Sequence, residues 1–221
     1  MKLVTLDNGV KAWSFGSSKY VQATVKNIEE WLARPENSKW KMPPKAETPM
    51  RTAYRSELDV SPELSATDSS YYQSLIGILR WIVELGGVDV CLEVSIMSSC
   101  LALRRTGHLE QLFHIFRYLK TYHNAVMVYD PSDPVIDMNL FEARDWTSSE
   151  FGHGEGKEEL PPKMPEPRGM GFQISAKVDA DHASDTVTRR SRTGFLVYIN
   201  SSLVYWWSKK QTSIESSSFG S

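Results

Sequence analysis

The sequence predicts an α+β fold: a small helical bundle followed by a three-stranded antiparallel sheet. Apolar residues recur at helical spacing in three stretches between residues 70 and 120, then alternate with polar ones after residue 170. A Pro-, Gly- and acid-rich stretch separates the two patterns, as expected where runs of helix give way to runs of strand. At 221 residues with 41% hydrophobic content, the chain can build one moderate core or two small ones.

Residues 2–15 read as a hairpin. Leu3-Val4-Thr5-Leu6 and Val10-Lys11-Ala12-Trp13 flank Asp7-Asn8-Gly9, whose Asn-Gly pair tolerates positive φ. Ser17 or Ser18 then caps a helix with Val21, Val25, Ile28 and Leu32 on one face, and Pro35 stops it. From 35 to 69 the chain reads as a linker, because Pro43, Pro44, Pro49 and Pro62 remove backbone donors and polar intervals leave little to bury.

Ser70 with Gln73 fits a capping box for a helix that carries Leu75, Leu79 and Ile82 and ends at Gly86-Gly87. A second helix from about Asp89 places Val90, Val94, Met97 and Leu101 on its stripe. A third, from about Gly107, places Leu109, Leu112, Phe116 and Leu119 there, and Ala125 to Tyr129 is short and β-prone.

Pro161, Pro162, Pro165 and Pro167 interleave with glycines and glutamates in an irregular connector over 131–169, the main boundary. Beyond it Phe172, Ile174, Ala176 and Val178 alternate along a strand ending at Asp179. Thr193 to Ile199 and Leu203 to Trp207 form two more strands, joined at Asn200-Ser201-Ser202, and residues 214–218 read as the approach to a helix. Five units result: 1–34, 35–69, 70–130, 131–169 and 170–221.

A net charge of −2 argues against a polycation that coats nucleic acid, so any such contact must come from local patches. Cys91 and Cys100 lack paired zinc-ligand spacing and read as core thiols in a reducing compartment. Arg80 and Glu84 interrupt the longest apolar run, which falls short of the about 18 uncharged residues that cross a bilayer. With no secretory pattern after Met1, the expected setting is cytoplasmic or nuclear, without a membrane partner.

The chemistry-bearing string begins where the first late strand ends, at Asp179 and Asp181. Carboxylates there suit Mg2+, which prefers hard oxygen ligands, and two such ions about 4 Å apart support phosphodiester hydrolysis. Such a site needs several acids, yet after Asp185 the sequence holds only Glu215. Gly152, Gly154 and Gly156 alternate without the strand and helix that a phosphate loop requires.

Asp179-Ala180-Asp181, Asp185, Arg189-Arg190-Ser191, Thr193-Gly194-Phe195 and Trp207-Ser208-Lys209-Lys210-Gln211 follow one another in an order and spacing that resemble copia-type retrotransposon Pol polyproteins. Upstream, YYQSLIGILRWI at 71–82, VDVCLEVSIMSS at 88–99 and HLEQLFHIFRYLK at 108–120 look like the helical region between reverse transcriptase and ribonuclease H in that family. Ser18-Lys19-Tyr20-Val21 resembles the start of the preceding helix, while 35–69 and 131–169 match poorly.

The resemblance implies that 1–34 ends a reverse transcriptase, 70–130 is a helical thumb or connection, and 170–221 is the first part of a ribonuclease H-like domain. It implies RNA-directed DNA synthesis and Mg2+-dependent cleavage of RNA–DNA hybrid in the parent protein. Asp179 would be a catalytic metal ligand, with Asp181 as an accessory. By spacing, the next catalytic glutamate would fall one residue past Ser221 and the polymerase aspartates before Met1, so a fragment inactive alone is expected.

Partners would be hybrid or template–primer and the rest of the polyprotein. Two readings stand for Arg189, Arg190 and Arg192: contact with hybrid phosphates, or a solvated turn offsetting Asp181 and Asp185. Lys209 and Lys210 beside Trp206 and Trp207 resemble a stacking-and-phosphate surface, although strand alternation sends one Trp to the core. His182 stands where many relatives carry tryptophan and reads as a turn residue. Arg104, Arg105, Arg117 and Lys120 are either channel-lining or solvent-facing. The alternative to an enzyme fragment is a non-catalytic nucleic-acid-binding module or a decayed transposon remnant.

Overall fold

A computed structural model describes residues 1–135 and 171–213. The expected helix approach at 214–218, and the connector from residue 136 to 169, lie outside the described residues.

Strands β1 (Lys2–Thr5) and β2 (Lys11–Phe15) form the expected hairpin, with Leu3 opposite Trp13 and Thr5 opposite Lys11. Gly9 sits at φ +82°, and the Val10 amide donates to Asn8 Oδ1 of the side chain at 3.0 Å, so the turn uses both residues of the Asn-Gly pair. Much later in the chain, β3 (Met127–Tyr129) returns to pair antiparallel with β2, giving the order β1-β2-β3.

Helix α1 (Ser18–Leu32) buries Val21, Val25 and Ile28 as its spacing predicts. Ser17 is the N-cap residue, as expected, but makes no side-chain capping bond, and the Ser18 hydroxyl pairs with His123 Nδ1 at 2.9 Å. At the far end the Asn37 side chain donates to the Trp31 carbonyl at 2.8 Å, closing the helix where Pro35 begins a short 3-10 turn.

The stretch expected to be a linker packs against the helices. Trp40 and Ala46 are buried, and helix α2 (Ala66–Glu84) starts inside this stretch. Ser65, not Ser70, is its N-cap, accepting from the Asp68 amide at 3.2 Å, while Ser70 lies within the helix and donates to the Ala66 carbonyl. The physical reason is Asp68. Its buried carboxylate also receives Ser65 Oγ, Lys39 Nζ at 2.7 Å and Trp40 Nε1 at 3.2 Å, tying the helix start to the preceding loop.

As expected, α2 ends at the glycine pair. Gly86 has φ +100°, and the Gly86 and Gly87 amides donate to the Val83 and Ile82 carbonyls. Helix α3 (Cys91–Ser99) follows a 3-10 turn at Val88–Val90 and runs into another at Cys100–Ala102. Helix α4 (Thr106–Thr121) buries Leu109, Leu112, Phe116 and Leu119, the predicted stripe, together with Phe113 and Ile115. Leu75 and Leu79 of α2, Met97 of α3 and the α1 face join them in one core.

The late strands are β4 (Ile174–Ala180), β5 (Arg192–Ile199) and β6 (Ser202–Lys210), antiparallel in the order β4-β5-β6. Asp179 pairs with Gly194 and Phe195 with Trp207. The turn into β6 is tight, with Asn200 at φ +50°. The sheet docks on the helices through one face: Trp206 Nε1 donates to the Val83 carbonyl at 3.2 Å, and Ser95 Oγ to the Ser208 carbonyl at 2.6 Å. Its other face carries the alternating residues Phe172, Ile174 and Val178, which are 67%, 63% and 62% exposed.

Candidate functional site

Asp179 lies on the exposed end of β4, opposite Gly194, which has no side chain to cover it. Among the described residues nothing donates a hydrogen bond to its carboxylate. It lines a cavity of about 400 Å³ together with Lys177, Asp181, Arg192, Leu92 and Trp206. Strand alternation places Lys177, Asp179 and Asp181 on the face that turns toward α3.

Asp181 shares that cavity but is committed elsewhere. One carboxylate oxygen accepts from the Arg192 amide at 3.0 Å and the Ser184 amide at 3.3 Å; the other accepts from Ser184 Oγ at 2.6 Å. The Asp181 amide in turn donates to the Arg192 carbonyl at 3.1 Å. These bonds close the loop between β4 and β5, so the carboxylate acts as a turn cap.

Asp185 has a similar structural task. It accepts from the Thr188 amide at 2.7 Å and from Lys210 Nζ at 2.6 Å. Burial works to raise its carboxyl, but Lys210 and the Thr188 amide outweigh burial and bring it down to about 2. The loop they brace also holds Ala183 and Arg189 at φ +51° and +55°, left-handed positions that non-glycine residues enter only under such restraint.

The basic residues divide into two sets. The Arg192 guanidinium is buried and donates to Ser95 Oγ at 2.6 Å and Ser99 Oγ at 3.4 Å, so it clamps the sheet onto α3. Burial lowers its pKa, against the pull of Asp181 and Asp185. Lys210 is held by Asp185. Arg189 is exposed at the loop tip, Arg190 half-buried beside it, and exposed Lys209 lies 6.0 Å over the Trp207 ring. Of the five predicted phosphate contacts, Arg189, Arg190 and Lys209 have no side-chain ion pair among the described residues, whereas Arg192 and Lys210 are engaged in internal bonds.

Trp206 and Trp207 part as strand alternation requires: Trp206 packs on the helical core and Trp207 faces outward. His182 is an exposed loop residue. The helical cations are mostly engaged within the fold. Arg104 donates to the Leu101 carbonyl and Ser69, Arg105 to the Ser61 carbonyl, and Lys120 pairs with Glu29. Cys91 and Cys100 are free, half-buried thiols whose pKa values burial pushes up, which makes them poor nucleophiles.

Sequence reasoning missed two buried polar anchors on α4. Gln111 is fully buried, receiving the Arg51 side chain at 3.0 Å and donating to the Pro49 carbonyl at 3.0 Å. His108 Nδ1 accepts from the Arg105 amide at 3.1 Å, which leaves its other nitrogen to donate to the Ser56 carbonyl at 3.0 Å. Polar residues on the buried side of an otherwise apolar helix were the available signal that 35–69 packs there.

The residues present do not fit Mg2+ by themselves. Among the described residues no three His, Cys, Asp or Glu side chains gather as a metal set, and the oxygens of Asp181 are occupied by the loop. No described helix is long and apolar enough to cross a membrane. Among the described residues the fold and site thus define a mixed α+β protein with two three-stranded antiparallel sheets and an accessible strand-end carboxylate at Asp179. Comparison of the chain with protein-family models, curated proteins and solved structures finds no match in any of the three.

Proposed function

We propose that the chain is a piece of a copia-type retrotransposon reverse transcriptase and ribonuclease H polyprotein, silent as a nuclease alone and able to touch a nucleic-acid backbone. The supporting observation is the placement of Asp179: exposed, without a partner among the described residues, at the end of the first strand of an antiparallel meander, beside a basic loop. That is the position the family resemblance assigns to a first metal-ligating carboxylate of a ribonuclease H-like sheet.

One accessible carboxylate does not make a two-metal site, because each ion needs several oxygen ligands. Mg2+ therefore belongs, in this reading, to the complete catalytic assembly rather than to these residues. Nucleic-acid contact falls to Arg189, Arg190 and the Lys209–Trp207 pair, with hybrid or template–primer and the remainder of the polyprotein as partners.

The test is a labelled RNA–DNA hybrid incubated with the full chain and Mg2+, with binding followed in parallel across a salt series. No cleavage above background is expected, together with weak binding that declines steeply with salt, since about three phosphate contacts release about as many counterions. Robust cleavage abolished by Asp179→Asn would overturn the claim of silence. Absence of binding even at low salt would favour a decayed remnant with no nucleic-acid role.

A further inference from the structure

β4 ends its sheet, and among the described residues no strand pairs with its outer edge. The direction of its backbone groups follows from both ends of the strand. The Asp181 amide donates to the Arg192 carbonyl, and the Asn200 amide to the Gln173 carbonyl, so odd-numbered residues bond inward to β5. Inward and outward groups alternate along an antiparallel strand, which leaves the amides and carbonyls of Ile174, Ala176, Val178 and Ala180 facing outward. Such an edge is a template for another strand.

We propose that this edge is the site of self-association, with β4 of one copy pairing antiparallel to β4 of a second around a two-fold axis at Val178. The occupant is selected by charge and register together. Centred on Val178, outward-facing residues meet outward-facing ones, with Val178 against Val178 and Ala176 against Ala180. Lys177 of each copy then stands directly opposite Asp179 of the other in a non-hydrogen-bonded pair, the position in which side chains approach most closely.

The neighbouring allowed registers are worse. Centring on Lys177 sets Lys177 against Lys177, and centring on Asp179 sets Asp179 against Asp179, and like charges directly opposite destabilise a sheet. Both side chains are exposed and free to meet. Asp179 has no partner among the described residues, and Lys177 now rests 5.1 Å over the Tyr198 ring on the same face. Pairing would join the two sheets into one of six strands and occupy Asp179 with a cation. This inference does not depend on any nucleic-acid role.

The experiment is sedimentation of the full chain over a concentration range, with five variants beside the parent. A dimer is expected for the parent. Lys177→Asp and Asp179→Lys should each weaken it at least tenfold, and the double exchange K177D/D179K should restore it. Val178→Pro removes an outward amide that bonds nothing within the sheet, so it should abolish the dimer while the thermal transition and far-ultraviolet spectrum stay unchanged. A parent that is monomeric throughout the range overturns the proposal. So does a dimer indifferent to Val178→Pro and to Lys177→Asp, or one that the double exchange fails to rescue. A dimer broken instead by Trp207→Lys would place the contact on the apolar face and reject the edge.

Discussion

The helical region and the late sheet are held together by different means. On α4, Leu109, Leu112, Phe113, Ile115 and Phe116 are all at 0% exposure, whereas no apolar residue of β4, β5 or β6 is fully buried. The helices bury their side chains against one another. The sheet is pinned by a few directed bonds, to α3 through Arg192 and Ser95 and to α2 through Trp206. Area burial is non-directional and tolerates small shifts, while a hydrogen-bonded clamp fixes orientation and fails when one partner is removed. The sheet is therefore the part expected to open locally first, and it also carries the candidate site.

The largest test of this contrast is truncation of an apolar side chain in each region. Phe116→Ala should cost about 3–5 kcal/mol in urea unfolding, because it opens a cavity in a packed core. Val178→Ala, on the exposed strand face, should change stability by no more than about 0.5 kcal/mol. Comparable losses at the two positions would mean that the sheet face is covered in solution.

Arg192→Ala comes next, with a loss of about 2 kcal/mol from its charge-assisted bonds to Ser95 and Ser99. Amide exchange is the sharper readout. Protection should fall along β5 and β6 and persist in α2 and α4; a uniform fall would show that the two regions unfold as one unit.

The smallest effect concerns pH. The Asp185 carboxyl is held down to about 2 in the folded chain, so its contribution is complete above about pH 4 and is lost as pH falls toward 2. Because the pair with Lys210 keeps some contact with solvent, the loss should be about 1 kcal/mol. Asp185→Asn should flatten that part of the stability–pH curve, and an unchanged slope would remove the ion pair from the account.

What was legible in the sequence follows how local each cause is. The Asn8-Gly9 turn, the Gly86-Gly87 stop and the stripe from Leu109 to Leu119 depend on backbone freedom and helical spacing within a few residues, and each appears where expected. The start of α2 was misplaced because Ser65 and Ser70 offer similar local signals. The choice between them rests on Lys39 and Trp40, whose bonds to Asp68 span 29 and 28 positions. For the same reason 35–69 reads as a linker until Gln111 and His108 supply partners from a distant helix.

The candidate site divides along the same line. The sequence alone determined that Asp179 and Asp181 fall at the end of a strand, that Trp206 and Trp207 point to opposite faces, and that a basic loop follows, since alternation and turn composition are local properties. Only the tertiary structure decided which of these side chains stay available. Asp181 closes its own loop, Arg192 clamps α3 and Lys210 holds Asp185, while Asp179 stands opposite Gly194 with no partner among the described residues. Residue type fixes what a side chain is able to bind, but its occupancy is set by neighbours that only folding brings within hydrogen-bond distance.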